Sequence, residues 1–277
     1  MTDSATPHDE EPRSPVTRPA STPLTGMLSV TTGAAGIEQP PASAEVREVP
    51  PSSTTPIEIL SHELRSPITT IQLGAKVLRR NARRRVRRRM ADEVVAAVEM
   101  EAERLLRLVE DLLAIARHET GAPLLGEPLL IQHFLPGVLE QEIAAQPGIA
   151  IWSDLPADLP AVVADDAALR QVIRNLVANA ARFGPKGGQV EVVATREADE
   201  VVITVLDRGP GIDPADADRV FEPFYRVPRP ESPGGAGLGL TAVQRLLAAM
   251  NGRIELGRRE GGGASVAVRL PIARPED

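Results

Sequence analysis

The stretch Ser61-His62-Glu63-Leu64-Arg65-Ser66-Pro67-Ile68-Thr69 (residues 61–69) places a histidine within a segment that has the apolar spacing of a helix. The apolar positions that share one face are Ile57, Leu60, Leu64, Ile71 and Leu78. His62 falls on the opposite side, so we expect its ring to face solvent. Pro67 removes a backbone donor and releases the carbonyl of Glu63, which predicts a bend beside His62. The pattern indicates an imidazole that a large partner can reach.

The length and composition bound the possible architectures. A chain of 277 residues with 42% hydrophobic side chains is long enough for one or two domains with a sizeable core. The absence of cysteine excludes disulfides, thiolate metal sites and a cysteine nucleophile. No run approaches the roughly 18 apolar residues of a membrane helix, and the amino terminus lacks the basic and apolar regions of a secretory signal. We therefore expect a cytoplasmic protein without a transmembrane segment.

Two segments have a biased composition. Residues 1–55 are rich in Pro, Ser and Thr without a helical or strand period, which predicts a disordered leader. Eight arginines lie between residues 79 and 89, although the whole chain has a net charge of −7. We expect this run to be the solvated end of a helical bundle. Binding to nucleic acid or anionic lipid is the alternative, but no aromatic residues interleave the arginines, and the remainder is acidic.

Residues 56–118 are predicted to form a hairpin of two helices. Thr55 and Pro56 make a helix start signal, and the first helix is expected to run to about Arg80. In the second helix, apolar residues recur every three or four positions at Val94, Val98, Ala102, Leu105, Val109, Leu112 and Ala116. Additional apolar residues make this face too wide for one hairpin to cover. We therefore predict a homodimer in which two hairpins close a four-helix bundle.

A second domain is predicted over residues 128–277, after a linker at 119–127. Strand-like runs occur at 128–131, 149–152, 189–195, 201–206, 253–256 and 264–270. Helix-like runs occur near 134–146, 165–183 and 238–250. Their alternation predicts an α/β sandwich, and the chain as a whole is then an α+β multidomain protein.

Polar side chains interrupt the otherwise apolar helix predicted near 165–183. Asn175 and Asn179 lie four residues apart and share a face, which Arg182 continues. Burying amide and guanidinium groups is costly unless they meet a ligand. Amide oxygens together with water suit Mg²⁺. The arrangement therefore indicates a site for a charged ligand.

Two glycine-containing stretches flank a phenylalanine-rich one. Asp207-Arg208-Gly209-Pro210-Gly211-Ile212 (207–212) follows an apolar strand, where glycine lets the backbone approach a ligand. Val220-Phe221-Glu222-Pro223-Phe224-Tyr225-Arg226 (220–226) comes next. Gly234-Gly235-Ala236-Gly237-Leu238-Gly239-Leu240 (234–240) then precedes a helix, a position that presents amide donors to phosphates. The Pro-rich residues 227–233 between them are expected to form a lid.

In this order, the five stretches resemble the phosphoacceptor, N, first glycine, phenylalanine and second glycine boxes of sensor histidine kinases. The resemblance covers about residues 57–272. It implies a dimeric phosphoacceptor bundle followed by an ATP-binding domain of the Bergerat type. It also implies that His62 accepts a phosphoryl group from ATP, with Glu63 hydrogen-bonded to its imidazole. The phosphoryl group would then pass to an aspartate in the receiver domain of a response regulator.

The resemblance also assigns roles in nucleotide binding. Asn179 is the implied Mg²⁺ ligand, Asn175 and Arg182 approach the phosphates, and Phe183 lies near the nucleotide. Asp207 accepts from the adenine amino group, and the first glycine box, with Gly209 and Gly211, leaves room for the base. The residues implied at the phosphates are Gly235, Gly237, Leu238 and Gly239.

Two alternatives remain open from the sequence. One is an ATP hydrolase of the related chaperone, topoisomerase and mismatch-repair group, but Asn175 stands where those enzymes carry a glutamate that activates water. The other is a scaffold or a regulator whose main activity is phosphatase. Ser66 stands where the family has the Thr or Asn that helps orient water for that reaction, so phosphatase activity is the weaker expectation.

Overall fold

The computed structural model describes residues 55–81, 88–121, 124, 126–146, 148–228 and 234–274. The leader predicted at residues 1–55 lies outside the described residues except for Thr55. Residues 82–87 of the arginine run and 229–233 of the expected lid also lie outside them. Within the described ranges, no helix combines the length and the apolar character needed to cross a bilayer.

The first helix, α1 (Pro56–Asn81), begins with a reciprocal cap. The Thr55 hydroxyl accepts from the Glu58 backbone N–H at 3.3 Å, and the Glu58 carboxylate accepts from the Thr55 N–H at 2.7 Å. These bonds satisfy donors that the first helical turn otherwise leaves open. The sequence start signal at Thr55 and Pro56 therefore marks the observed beginning of α1.

The second helix, α2 (Arg88–Thr120), packs along α1. On α1, the stripe residues Leu60, Leu64, Ile71 and Leu78 are partly buried, but Ile57 is 77% exposed. The helix continues through Pro67, whose side chain is buried. These residues form the predicted helical hairpin.

The α/β domain follows the hairpin and contains three α-helices, two short 3-10 helices and seven strands within the described residues. The α-helices are α3 (Ile131–Ala145), α4 (Asp166–Phe183) and α5 (Gly239–Ala249). The strands are β1 (Glu127–Leu129), β2 (Ala150–Asp154), β3 (Val162–Ala164), β4 (Gln189–Glu197), β5 (Glu200–Leu206), β6 (Arg253–Arg258) and β7 (Ala264–Pro271). The predicted α/β sandwich is confirmed.

Five strands form the main sheet in the order β2-β4-β5-β7-β6. β2 pairs with β4 in parallel, and the other neighbours are antiparallel. β1 and β3 form a separate antiparallel pair. The sequence analysis missed β3 and assigned Ile131 to a strand, although this residue begins α3. β3 is only three residues long, so its pairing with β1 rather than any local period defines it.

Alternation along the strands separates a core face from a solvent face. The residues that β4 and β5 bury toward the helices are Val190, Val192, Ala194, Val201, Ile203 and Val205. On the opposite face, Arg269 of β7 pairs with Glu197 at 2.7 Å and with Glu255 at 2.8 Å. The face of the sheet opposite these core residues therefore carries paired charged side chains.

We expect Ile203→Ala to lower the free energy of unfolding by about 2–5 kcal/mol, because the fully buried side chain would leave a cavity in the central strand. Thr195→Ala is the matched control, since it removes an exposed β4 side chain and should change stability by less than about 0.5 kcal/mol. Urea unfolding followed by circular dichroism measures both variants. Equal unfolding midpoints for the two would contradict this description of the core.

Candidate functional site

His62 lies on α1 with its residue exposed to solvent, as expected from the spacing of the apolar stripe. The next residue, Glu63, is half-buried and points toward α2. Its carboxylate Oε2 accepts a hydrogen bond from Arg104 Nη2 at 2.9 Å. The structure therefore gives Glu63 a cationic partner on the neighbouring helix, in place of the contact with the His62 imidazole that the resemblance implied.

A cavity of about 620 Å³ lies between the hairpin and the α/β domain. Eleven of the thirteen sequence-predicted site residues line it: Glu63, Asn175, Asn179, Arg182, Phe183, Asp207, Gly211, Gly235, Gly237, Leu238 and Gly239. His62 and Gly209 are outside this lining. Residues predicted in four separate stretches of sequence thus meet around one space, and the hairpin contributes part of its wall.

The two asparagines of α4 face the start of α5. Asn175 is buried, and its Nδ2 donates to the Gly239 carbonyl at 3.4 Å and to Asp111 Oδ1 at 2.8 Å. Asn179 is half-buried one turn later, close to the same glycine. Because the two protons on Asn175 Nδ2 have protein acceptors, this side chain is oriented by the protein itself.

Asp111 of α2 is a site residue that the sequence analysis missed. Its buried carboxylate also accepts from Gln171 Nε2 of α4 at 3.0 Å, and an ion pair joins the adjacent Glu110 to Arg174. Burial raises the pKa of Asp111, while hydrogen bonds from Asn175 and Gln171 and the charge of Arg174 oppose the rise. The signal in the sequence was the position of Asp111 beside Leu112 of the apolar stripe. A carboxylate that is buried there needs hydrogen-bond donors from a neighbouring element.

Asp207 is buried at the end of β5, where two backbone donors hold one of its oxygens. Oδ1 accepts from the N–H of Gly209 at 2.7 Å and from the N–H of Ala264 at 3.1 Å. Gly263, which the sequence analysis missed, makes this approach possible. Its φ is +111°, and a Cβ there would lie 2.1 Å from the Asp207 carbonyl oxygen. The triple glycine at 261–263 was the signal in the sequence.

The second glycine stretch forms a loop that leads into α5. Gly237 has φ +69°, and a Cβ there would lie 2.5 Å from the Tyr225 carbonyl oxygen, so this position needs glycine. The Gly237 carbonyl accepts from the Phe224 N–H at 3.0 Å. Leu238 supplies no side-chain cap to α5, and the first backbone N–H groups of this helix border the cavity.

Arg182 connects the end of α4 to the same loop. Its Nη1 donates to the Gly234 carbonyl at 3.0 Å, and its guanidinium carbon lies 5.8 Å from the centre of the Phe183 ring. A small apolar cluster connects the loop to the hairpin and consists of Leu108, Ala236 and Leu238 with Leu60, Leu112, Ile115 and Phe224. Polar and apolar contacts therefore both attach the glycine loop to its surroundings.

Comparison with known families assigns both parts of the chain. Residues 57–121 match the model of the His Kinase A (phospho-acceptor) domain. Residues 164–274 match that of the histidine kinase-, DNA gyrase B-, and HSP90-like ATPase. The chain belongs to the sensor histidine kinase family. The resemblance found in the sequence is thereby confirmed.

Individual relatives of this chain agree with the assignment. It is 35% identical over 221 residues to the alginate biosynthesis sensor protein KinB of Pseudomonas aeruginosa, covering 76% of this chain and 36% of KinB. It is 31% identical over 217 residues to the sensor histidine kinase CpxA of Escherichia coli strain K12, covering 77% of this chain and 46% of CpxA. The chain thus spans less than half the length of these two relatives.

A solved structure shows the same arrangement of elements. Full-length ShkA in complex with AMPPNP is 34% identical to this chain, with a TM-score of 0.55. The match covers 79% of this chain and 47% of ShkA. The helical hairpin and the following α/β domain therefore have a counterpart within one longer kinase.

We expect the contact between α2 and α4 to depend on the charge of Asp111. Because burial raises its pKa above the usual 3.8, the folded state binds the proton more tightly, and stability falls as the pH rises from 3.8 through the raised pKa. Asp111→Asn keeps an acceptor for Asn175 and Gln171 but does not titrate. Urea unfolding at a series of pH values should show the wild-type chain losing stability relative to this variant. A pH-independent difference would contradict the prediction.

Proposed function

We propose that this chain is an ATP-dependent protein histidine kinase that phosphorylates His62 and transfers the phosphoryl group to an aspartate of a response regulator. One observation carries the proposal. Glu63, the residue after His62, lines the same cavity as Asp207 and the glycine loop. The candidate phosphoacceptor therefore sits one residue from the wall of the candidate nucleotide site.

The residues around the cavity fit a nucleotide. Both backbone donors at Asp207 bond to Oδ1, so Oδ2 is the oxygen suited to accept from an adenine amino group. At the other end, Gly235, Gly237 and Gly239 border the uncapped start of α5, where backbone amides and the helix dipole favour phosphates. The cavity thus has a base-binding end and a phosphate-binding end.

The side chains of α4 would complete the phosphate-binding end. The amide oxygen of Asn179 is a hard ligand of the type that Mg²⁺ prefers, and we propose it as the metal ligand. Arg182 would contact the phosphates from the end of the helix. Asn175 would reach them only after exchanging Asp111 or Gly239 as its acceptor, because its Nδ2 bonds to both.

When bound, ATP supplies the γ-phosphoryl group as an electrophile. A ring nitrogen of His62 would form the new N–P bond as the bond from the γ-phosphorus to the bridging oxygen breaks, and ADP would keep that electron pair. Glu63 would accept the N–H of the other ring nitrogen and make the attacking nitrogen more basic. The protein's contribution is mainly positioning and charge neutralisation.

The hairpin also supports the proposed homodimer. Several apolar side chains on α1 and α2 are exposed in the single chain: Ile68, Leu73, Val95, Leu106, Val109 and Leu113. A second hairpin would remove these side chains from water, and closed two-fold pairing is the commonest way for identical chains to do so. We propose that two copies form the four-helix bundle that displays His62.

We expect the purified chain to take up label from γ-labelled ATP, with the acid lability and alkali stability of a phosphohistidine. His62→Ala should abolish the label while nucleotide binding persists, because the nucleotide cavity does not include the ring. His133→Ala is the matched control, since His133 is also an exposed histidine on a helix. Labelling that survives in His62→Ala would overturn the assignment. ATP turnover without labelled protein would favour a hydrolase.

We expect Asp207→Asn to weaken ATP binding about tenfold or more. The single carbonyl oxygen of asparagine would be held by Gly209 and Ala264, so its NH₂ group would meet the adenine amino group donor to donor. Asp213→Asn, the same change at an exposed position nearby, should have no effect. Calorimetric titration with Mg-ATP measures all three proteins. Equal affinities for the wild type and Asp207→Asn would show that Asp207 does not bind the adenine base.

A further inference from the structure

Four arginines surround the phosphate-binding end of the cavity. Arg104 and Arg107 come from α2, Arg182 from the end of α4, and Arg226 from the segment before the glycine loop. Although part of Arg182 is open to solvent, its removal from bulk water lowers its pKa, and the charges of Arg104, Arg107 and Arg226 lower it further. These like charges repel one another, and the charge of Glu63 opposes part of their effect on the pKa of Arg182. Such a cluster favours the entry of a polyanion.

Arg104 differs from the other three because its guanidinium holds Glu63. Its Nη2 lies 2.9 Å from Glu63 Oε2, and its Nη1 lies 3.8 Å from Glu101 Oε2. The Glu63 side chain is only 14% exposed, whereas that of Arg104 is 39% exposed. The guanidinium therefore links the residue beside His62 to the space that the nucleotide phosphates would enter.

In this geometry, Glu63 and the terminal phosphate of ATP would compete for the Arg104 guanidinium. A terminal phosphate carries more negative charge than a carboxylate and accepts the planar guanidinium through two parallel hydrogen bonds. The long side chain of Arg104 can reorient within the cavity that both groups line. A nucleotide with a γ-phosphate would thus draw Arg104 from Glu63, and one that ends at the β-phosphate would not.

We propose that Arg104 is a positioning residue that exchanges Glu63 for the terminal phosphate of bound ATP. This inference rests on the proposed function of the cavity. In the nucleotide-free state, Arg104 neutralises Glu63 and occupies its carboxylate. Once Arg104 bonds to the phosphate, Glu63 becomes available to the His62 imidazole. The phosphoacceptor is thereby activated only when a transferable phosphoryl group is present.

The first test compares the affinities of the whole chain for Mg-ATP and Mg-ADP by calorimetry. Arg104→Gln should weaken ATP binding about tenfold and leave ADP binding unchanged, because only ATP reaches the exchanged guanidinium. Arg104→Lys should recover part of the loss, since it keeps the charge without the planar fork. Arg117→Gln is the matched control: it makes the same change on the same helix, at an exposed residue outside the cavity lining.

The second test predicts a gain in ATP affinity, which a merely structural role of Arg104 would not produce. Glu63→Gln should tighten ATP binding about two- to fivefold, because Arg104 no longer has to leave a carboxylate. In the Arg104→Gln background, the same Glu63 substitution should have no effect on ATP binding. Damage to the fold would instead weaken binding of both nucleotides in every variant.

Two results would separate failure of this inference from failure of the proposed function. If the wild type binds ATP and labels His62, but Arg104→Gln keeps the same preference for ATP over ADP, Arg104 has no role in exchange. The same conclusion follows if Glu63→Gln fails to tighten ATP binding. If the wild type does not bind ATP, the proposed function of the cavity is wrong, and this inference falls with it.

Discussion

The hydrogen bonds from Gln171 and Asn175 to the Asp111 carboxylate are the contact on which the site depends, because they hold α4 against α2. The ion pair between Glu110 and Arg174 joins the same two helices, and the apolar cluster of Leu108, Ala236 and Leu238 joins the hairpin to the glycine loop. A buried carboxylate is costly to desolvate, and two amide donors with a neighbouring ion pair offset part of that cost. The contact between α2 and α4 is also reversible, because the polar groups of Asp111, Gln171 and Asn175 can hydrogen-bond to water when the two helices separate.

Backbone N–H groups and arginine side chains are two kinds of hydrogen-bond donor that line the cavity. Backbone donors at Asp207 and at the start of α5 are fixed by the fold at the proposed base-binding and phosphate-binding ends of the cavity. Arginine side chains are mobile and can exchange partners without moving the backbone. The fixed donors at Asp207 can therefore provide specificity for the base. The arginine side chains can couple a bound nucleotide to the hairpin.

Local patterns in the sequence predicted most of the fold. The capping signal at Thr55, the apolar spacing of α1 and α2 and the alternation of β4 and β5 reflect interactions between residues close in the chain. The two asparagines of α4 shared a face for the same reason. β3 was missed because it is defined by pairing with β1, and Asp111 was missed because its donors lie 60 and 64 residues away.

The sequence by itself determined most of the elements, the stretches that resemble the phosphoacceptor and nucleotide boxes, and the position of His62 opposite the apolar stripe. The elements and the position of His62 depend on local propensity and periodicity, which a linear pattern records, and the boxes are recognised by their resemblance to the family. Only the tertiary structure decided that Arg104 pairs with Glu63, that Asp111 holds Asn175, and that Gly263 lets the backbone close around Asp207. Each of these contacts joins residues from different elements, and their partners are fixed by packing in three dimensions rather than by spacing along the chain.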